Sequence, residues 1–250
     1  MIVDSLTFVG DSLFGHSATS AEVLARLDEI GAERAVICPV KPRGYHLGPA
    51  NDVVAAAVAE SGGRLTGVAR VDPLLGDEAC AELERAVEEL GLRGVLLHPW
   101  EETFRIADSR VWPVVEVARR LGVPVIVAAG YPWLSEALQV AALASRFPDV
   151  TFVATNGLQL NISGLGQVDA ELALAENDNL LIQTTGVYRE DFIEGVVRRF
   201  GPARVLYASS YPLLDPRLEI RRVQWANFSA PETAAMLGGN ADAVFASAEH

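Results

Sequence analysis

The chain has 250 residues, half of them hydrophobic, a length that suits one α/β barrel or one to two smaller domains with a large core. Lys plus Arg number 20 and Asp plus Glu 33, a net charge of −13 that repels phosphate backbones and anionic membranes, so neither is an expected partner. The opening MIVDSLTFVGDSLFG lacks the basic start of a signal peptide and no apolar run reaches membrane-spanning length, so the expected compartment is the cytoplasm.

Eight short apolar runs follow one another at residues 2–8, 34–39, 65–71, 94–99, 124–129, 150–155, 180–185 and 205–210. They are rich in Val, Ile and Leu and mostly apolar on both faces, the pattern of buried parallel strands. Amphipathic stretches lie between them. Thr19 and Glu22 spell a capping box before residues 23–30, and Gly31 ends that helix. Helices over 77–90, 109–121 and 189–200 each stop at a glycine: Gly91, Gly122 and Gly201. Ser229, Pro231 and Glu232 open a last helix that is expected to stop at Gly238–Gly239.

Strand–helix repeated eight times predicts one closed (β/α)8 TIM barrel over residues 1–250. The alternative, a doubly wound open sheet, usually carries a glycine-rich phosphate turn after its first strand, and no GxGxxG follows Phe8. Cys38 and Cys80 form no CxxC pair and sit in apolar patterns, so they read as buried free thiols. In a barrel the chemistry sits at the C-terminal strand ends, which here are residues 6–16, 39–51, 72–75, 98–105, 128–133, 156–165, 185–188 and 209–216.

An ordered set of motifs resembles a known group. Ile2-Val3-Asp4-Ser5, GLRGVLLHP at 91–99, GVPVIVAAGYP at 122–132, FPDVTFVATNG at 147–157, GPARVLYASSYP at 201–212 and LGGNADAVF at 237–245 are similar to the amidohydrolase-2 group. That group includes decarboxylases similar to aminocarboxymuconate-semialdehyde decarboxylase. The resemblance implies a metal-dependent-hydrolase barrel, and a homodimer as the assembly to look for. Such barrels usually read D-x-H-x-H on the first strand, because histidines two apart point to one side and bind one ion. Here those positions hold Leu6 and Phe8. The fifth-strand histidine falls at Ala128, the sixth-strand histidine at Asn156, the eighth-strand aspartate at Ser210, and a fourth-strand lysine or acid at Leu96. The one lysine, Lys41, lies in a loop, which excludes a carbamylated lysine bridging two ions. The resemblance therefore implies a barrel with its metal ligands replaced, and no cofactor is expected.

Other candidates lie on the same face. His98 ends the fourth strand; a structural histidine bonded to a loop is the preferred reading, and an acid–base or ligand-binding role, with help from Tyr131, Asn156, Ser210 or Lys41, is the alternative. Lys41, Arg43, Tyr45 and His46 form a cationic loop that could receive a carboxylate, or be merely solvated. Trp100, Phe104, Tyr131, Trp133 and Tyr211 would make the mouth aromatic. His16, His46 and His98 could rebuild a metal site, but solvated loop histidines are preferred; His250 reads as a disordered terminus. Asp4 reads as structural. Ser209 and Ser210 sit in no GxSxG elbow.

The expected function is binding of a small, partly apolar or carboxylate-bearing molecule, as a pseudoenzyme or a metal-independent lyase, isomerase or cyclase. The alternative is a metal-dependent hydrolase or decarboxylase with a relocated site. A purely structural subunit is a further option, which a mouth plugged by its own side chains would favour.

Overall fold

The eight predicted runs come together as one ring of parallel segments. The computed structural model describes residues 1–160 and 164–245; His250 and part of the predicted 156–165 loop lie outside them. The first strand, β1 (Val3–Asp11), pairs in parallel with β3 (Arg34–Pro39), which pairs with β4 (Leu65–Gly67). After Val68, β5 (Ala69–Arg70) starts a second ladder that continues through β6 (Val95–Leu97), β7 (Val125–Val127), β8 (Phe152–Ala154), β9 (Leu180–Gln183) and β10 (Val205–Leu206). The run predicted at 65–71 thus serves two neighbours: Val68 N–H donates to Ile37 and Ala69 N–H to Gly94. At the other seam, Ser5 N–H donates to the Tyr207 carbonyl at 3.0 Å and Ser210 N–H to that of Leu6 at 2.9 Å. The ring is a (β/α)8 barrel, and the doubly wound alternative falls.

The period of two along each strand sorts the core into layers. Leu6, Phe8, Leu96, Ile126, Val153 and Leu206 turn inward and fill the barrel. Their neighbours Val95, Leu97, Val125, Val127 and Phe152 turn outward against the helices. Both faces are dry, so the runs look continuously apolar in sequence.

The helices follow their caps. Thr19 and Glu22 form the reciprocal capping box of α1 (Ser20–Ile30), and Gly31 takes the left-handed conformation after it. Three details differ from expectation. First, β1 runs past Phe8 to Asp11 and pairs antiparallel with β2 (Ser17–Ala18), raising a hairpin on the rim. Second, the last helix does not stop at its glycines. After α9 (Ala230–Ala234), a π-helical turn over Ala235–Gly239 leads straight into α10 (Asn240–Phe245). Gly238 is there for close approach, since a Cβ on it would come within 2.7 Å of the Met1 carbonyl oxygen. Third, Cys80 on α3 (Asp77–Glu88) is only half-buried, whereas Cys38 is fully buried.

Candidate functional site

At the C-terminal end of the strands the mouth divides into a neutral cavity and a charged cluster, which meet at His98. The cavity measures about 180 Å³. Leu6 and Phe8 from β1, Leu96 from the end of β6, and Ala128 just beyond β7 form its apolar lining. Asn156, Ser210, Thr155, Thr185, Tyr131, Tyr188 and His98 supply its polar side chains. The six positions that the sequence motifs lead one to expect as ion-binding all line one cavity. They hold Leu6, Phe8, Leu96, Ala128, Asn156 and Ser210.

Backbone strain concentrates here. Asn156 has φ 55° and Ser210 has φ 54°, in the left-handed region that costs a non-glycine residue about 1–3 kcal/mol when held away from its preferences. Asn tolerates that region better than most. Hydrogen bonds hold both residues. Asn156 Nδ2 donates to the Ala129 carbonyl at 3.1 Å and to Thr155 Oγ1 at 2.9 Å. The Thr185 hydroxyl donates to Ser210 Oγ at 2.9 Å.

His98 is 6% exposed. Its Nδ1 accepts from the Glu101 N–H at 3.3 Å, so in the neutral ring the proton sits on Nε2. Burial, reinforced by the nearby Arg70 charge, pushes this imidazole well below its ordinary value of 6.5; Lys41 and His16 act in the same direction. His98 therefore works as a neutral group at pH 7. Its ring contacts that of Tyr131, which Trp100 covers in a stacked arrangement with centroids 5.7 Å apart.

The charged cluster lies on the other side of His98. Arg70, at the end of β5, is fully buried. Its guanidinium donates to Glu102 Oε1 at 2.8 and 3.2 Å, to Glu101 Oε2 and to the Pro39 carbonyl. Lys41 Nζ approaches Glu102 Oε1 at 3.3 Å. Glu102 Oε2 has no hydrogen-bond partner, and burial raises the pKa of this carboxyl despite the two cations. Asn51 fixes the strand end by accepting from the Arg70 N–H at 2.8 Å and donating to its carbonyl at 3.1 Å. Arg70 and Glu102 were not foreseen from sequence. The signal was legible: an arginine inside the apolar run 65–71, one residue from its end, must find buried partners.

The remaining predicted residues separate. Lys41 is buried against Glu102 and does not join a solvent-facing cationic loop. Arg43 is exposed and does not line the cavity. His46 pairs with Glu78 at 2.6 Å outside the mouth cavity. Tyr211 stands beside Arg26 in a neighbouring groove. Phe104 is buried in the outer core, and Trp133 is exposed. His16 lies close enough to act on His98 by its charge, but His46 does not join them. Among the described residues no three His, Cys, Asp or Glu side chains converge as an ion would require. Asp4 is buried and ties the barrel seam, accepting from Ser209 N–H at 2.9 Å and Leu6 N–H at 3.3 Å. Burial raises its carboxyl to about 7.

The family model described as Amidohydrolase matches residues 44–246. No curated protein matches the chain. Among solved structures, 5-carboxyvanillate decarboxylase from Sphingomonas paucimobilis superposes with a TM-score of 0.79 at 18% identity, covering 98% of each chain. The 2,6-dihydroxybenzoate decarboxylase from Rhizobium gives 0.75 at 18%, again over 98% of each. A dihydroxybenzoic acid decarboxylase from Polaromonas, with bound manganese and the inhibitor 2-nitroresorcinol, gives 0.73 at 16%, covering 98% of this chain and 96% of that one. At such identities the likeness is one of fold.

Proposed function

Because this chain belongs to the amidohydrolase family, we propose that its mouth cavity binds a small, partly apolar molecule and that the reaction to test there is decarboxylation. The observation that carries this reading is the convergence of Leu6, Phe8, Leu96, Ala128, Asn156 and Ser210 on one cavity at the face where barrels hold their substrates. The Tyr131 hydroxyl supplies a hydrogen-bond donor at its edge, where the neutral His98 ring forms part of the wall and sets its Nε2 3.8 Å from Glu101 Oε2 in the charged cluster. In this reading His98 orients the ligand and Trp100 shields Tyr131 from water.

The solved relatives favour catalysis over a purely binding role, and the manganese in the Polaromonas enzyme favours the metal-dependent alternative. The cavity's own donors fit a divalent ion poorly. They comprise one imidazole, neutral oxygens and no carboxylate, whereas catalytic sites usually supply about three strong ligands. No step is therefore assigned to an ion.

The test pairs elemental analysis of protein purified without chelator with two assays. One measures binding of aromatic ligands, and the other measures CO2 release from 2,6-dihydroxybenzoate and 5-carboxyvanillate with and without Mn2+. Turnover that needs a bound ion would favour the metal-dependent reading. Binding without an ion would support the cavity as drawn, and failure of every ligand to bind would sink the proposal.

A further inference from the structure

Building on that reading, we propose that the cavity holds an uncharged, hydroxyl-bearing single ring of the phenol class, the ring left once a carboxylate has departed as CO2, more tightly than the same ring still carrying its carboxylate. Size sets the first limit. An apolar protein cavity of about 150 Å³ holds one benzene ring, and this one measures about 180 Å³. One ring with small substituents fits within that space.

Charge sets the second. Among the described residues, none of the lining side chains is Lys, Arg, Asp or Glu. The cations beside His98, Arg70 and Lys41, are already matched by Glu101 and Glu102, and Arg222, which lies over the ring of the lining Tyr188, is paired with Glu219. His98 is held neutral by burial and by those same cations. The whole chain carries −13. A carboxylate entering this space would leave water without meeting a positive partner, which is costly.

Hydrogen-bond accounting sets the third. Both Asn156 amide hydrogens are engaged, one by the Ala129 carbonyl and one by Thr155. That fixes the orientation of the amide and leaves Oδ1 as an acceptor beside Gly186, 3.0 Å from where a Cβ on that glycine would stand. The nearby backbone donors are also used: Ala129 N–H goes to Thr155 Oγ1 and Gly186 N–H to Glu219. Asn156 Oδ1 therefore asks for a ligand that gives a hydrogen, as a phenolic hydroxyl does and a carboxylate cannot. The Ser210 and Tyr131 hydroxyls can serve the hydroxyl's lone pairs.

The experiment is calorimetric titration of the full chain at pH 7.5 with resorcinol and with 2,6-dihydroxybenzoate, which differ by one carboxylate. The expected result is resorcinol binding at least about tenfold more tightly. Equal or tighter binding of the acid overturns this inference but leaves the cavity reading standing. Failure of both to bind overturns the two together. Leu213→Arg places a cation at the cavity lip on a half-exposed side chain, where folding is not at stake. It should raise the affinity for the acid about tenfold relative to that for resorcinol. No gain for the acid would overturn the assignment of the ligand to this cavity.

Discussion

The two halves of the barrel mouth solve burial in opposite ways. On one side, Leu6, Phe8, Leu96 and Ala128 leave a neutral space open. On the other, Arg70, Lys41, Glu101 and Glu102 pack four charges together and close upon themselves. His98 stands between them, kept neutral by burial and by the neighbouring cations. Charge at the rim is thus not the same as charge offered to a ligand. The cations are committed to carboxylates, and the space that remains has only dipoles.

Removing Arg70 should break this contrast most severely. Arg70→Met would leave Glu101 and Glu102 facing Lys41 alone in a dry site. We expect a loss of about 3–5 kcal/mol, read by urea denaturation. A loss below about 1 kcal/mol would mean that water reaches the cluster and that its charges are not confined. On the neutral side, Leu96→Ala removes an inward side chain that is fully buried. We expect a loss of about 2–5 kcal/mol, together with acceptance of larger rings, checked by denaturation and by titration with naphthol.

Acidity sharpens the comparison next, because the seam and the mouth respond with opposite signs. Asp4, raised to about 7, holds its proton more tightly folded than unfolded. Its contribution is full below about pH 4 and is lost as pH rises toward 7, at no more than about 1.4 kcal/mol per pH unit. His98 is lowered, so the unfolded chain takes up the proton first, and stability falls as pH drops below 6.5. Asp4→Asn should flatten the decline between pH 4 and 7, and His98→Gln should remove a loss on the acid side. Stability curves over pH 4–8 for the two variants check the signs; slopes unchanged in both would contradict the burial of these groups.

Much of this was legible in the sequence, and the illegible part has physical causes. Eight apolar runs and the Thr19–Glu22 cap report local physics, period and capping, and they appear where the residues predict. The inward positions of Leu6, Leu96 and Ala128 follow from the same period. What the pattern could not carry was partnership across the barrel. Arg70 meets Glu101 and Glu102 over 31 and 32 residues of separation, and Lys41 turns inward to pair with the buried Glu102. Gly238 reads locally as a helix stop, yet its role is set by Met1 at the other end of the chain.

The loop over 41–46 gives the smallest expected effect and the closest comparison. In sequence Lys41, Arg43 and His46 look like one cationic cluster. In the fold Lys41 is buried with Glu102, Arg43 is exposed, and His46 pairs with Glu78 on the outside. An exposed pair of this kind contributes little, since water and salt screen it. Arg43→Ala and His46→Ala should therefore shift the melting temperature by no more than about 1 °C and change resorcinol affinity by less than about twofold. If either substitution weakens binding tenfold, the loop folds over the mouth when ligand is present. The ligand's polar groups would then be met by cations after all, and the division between a neutral cavity and a self-contained charged cluster would have to be redrawn.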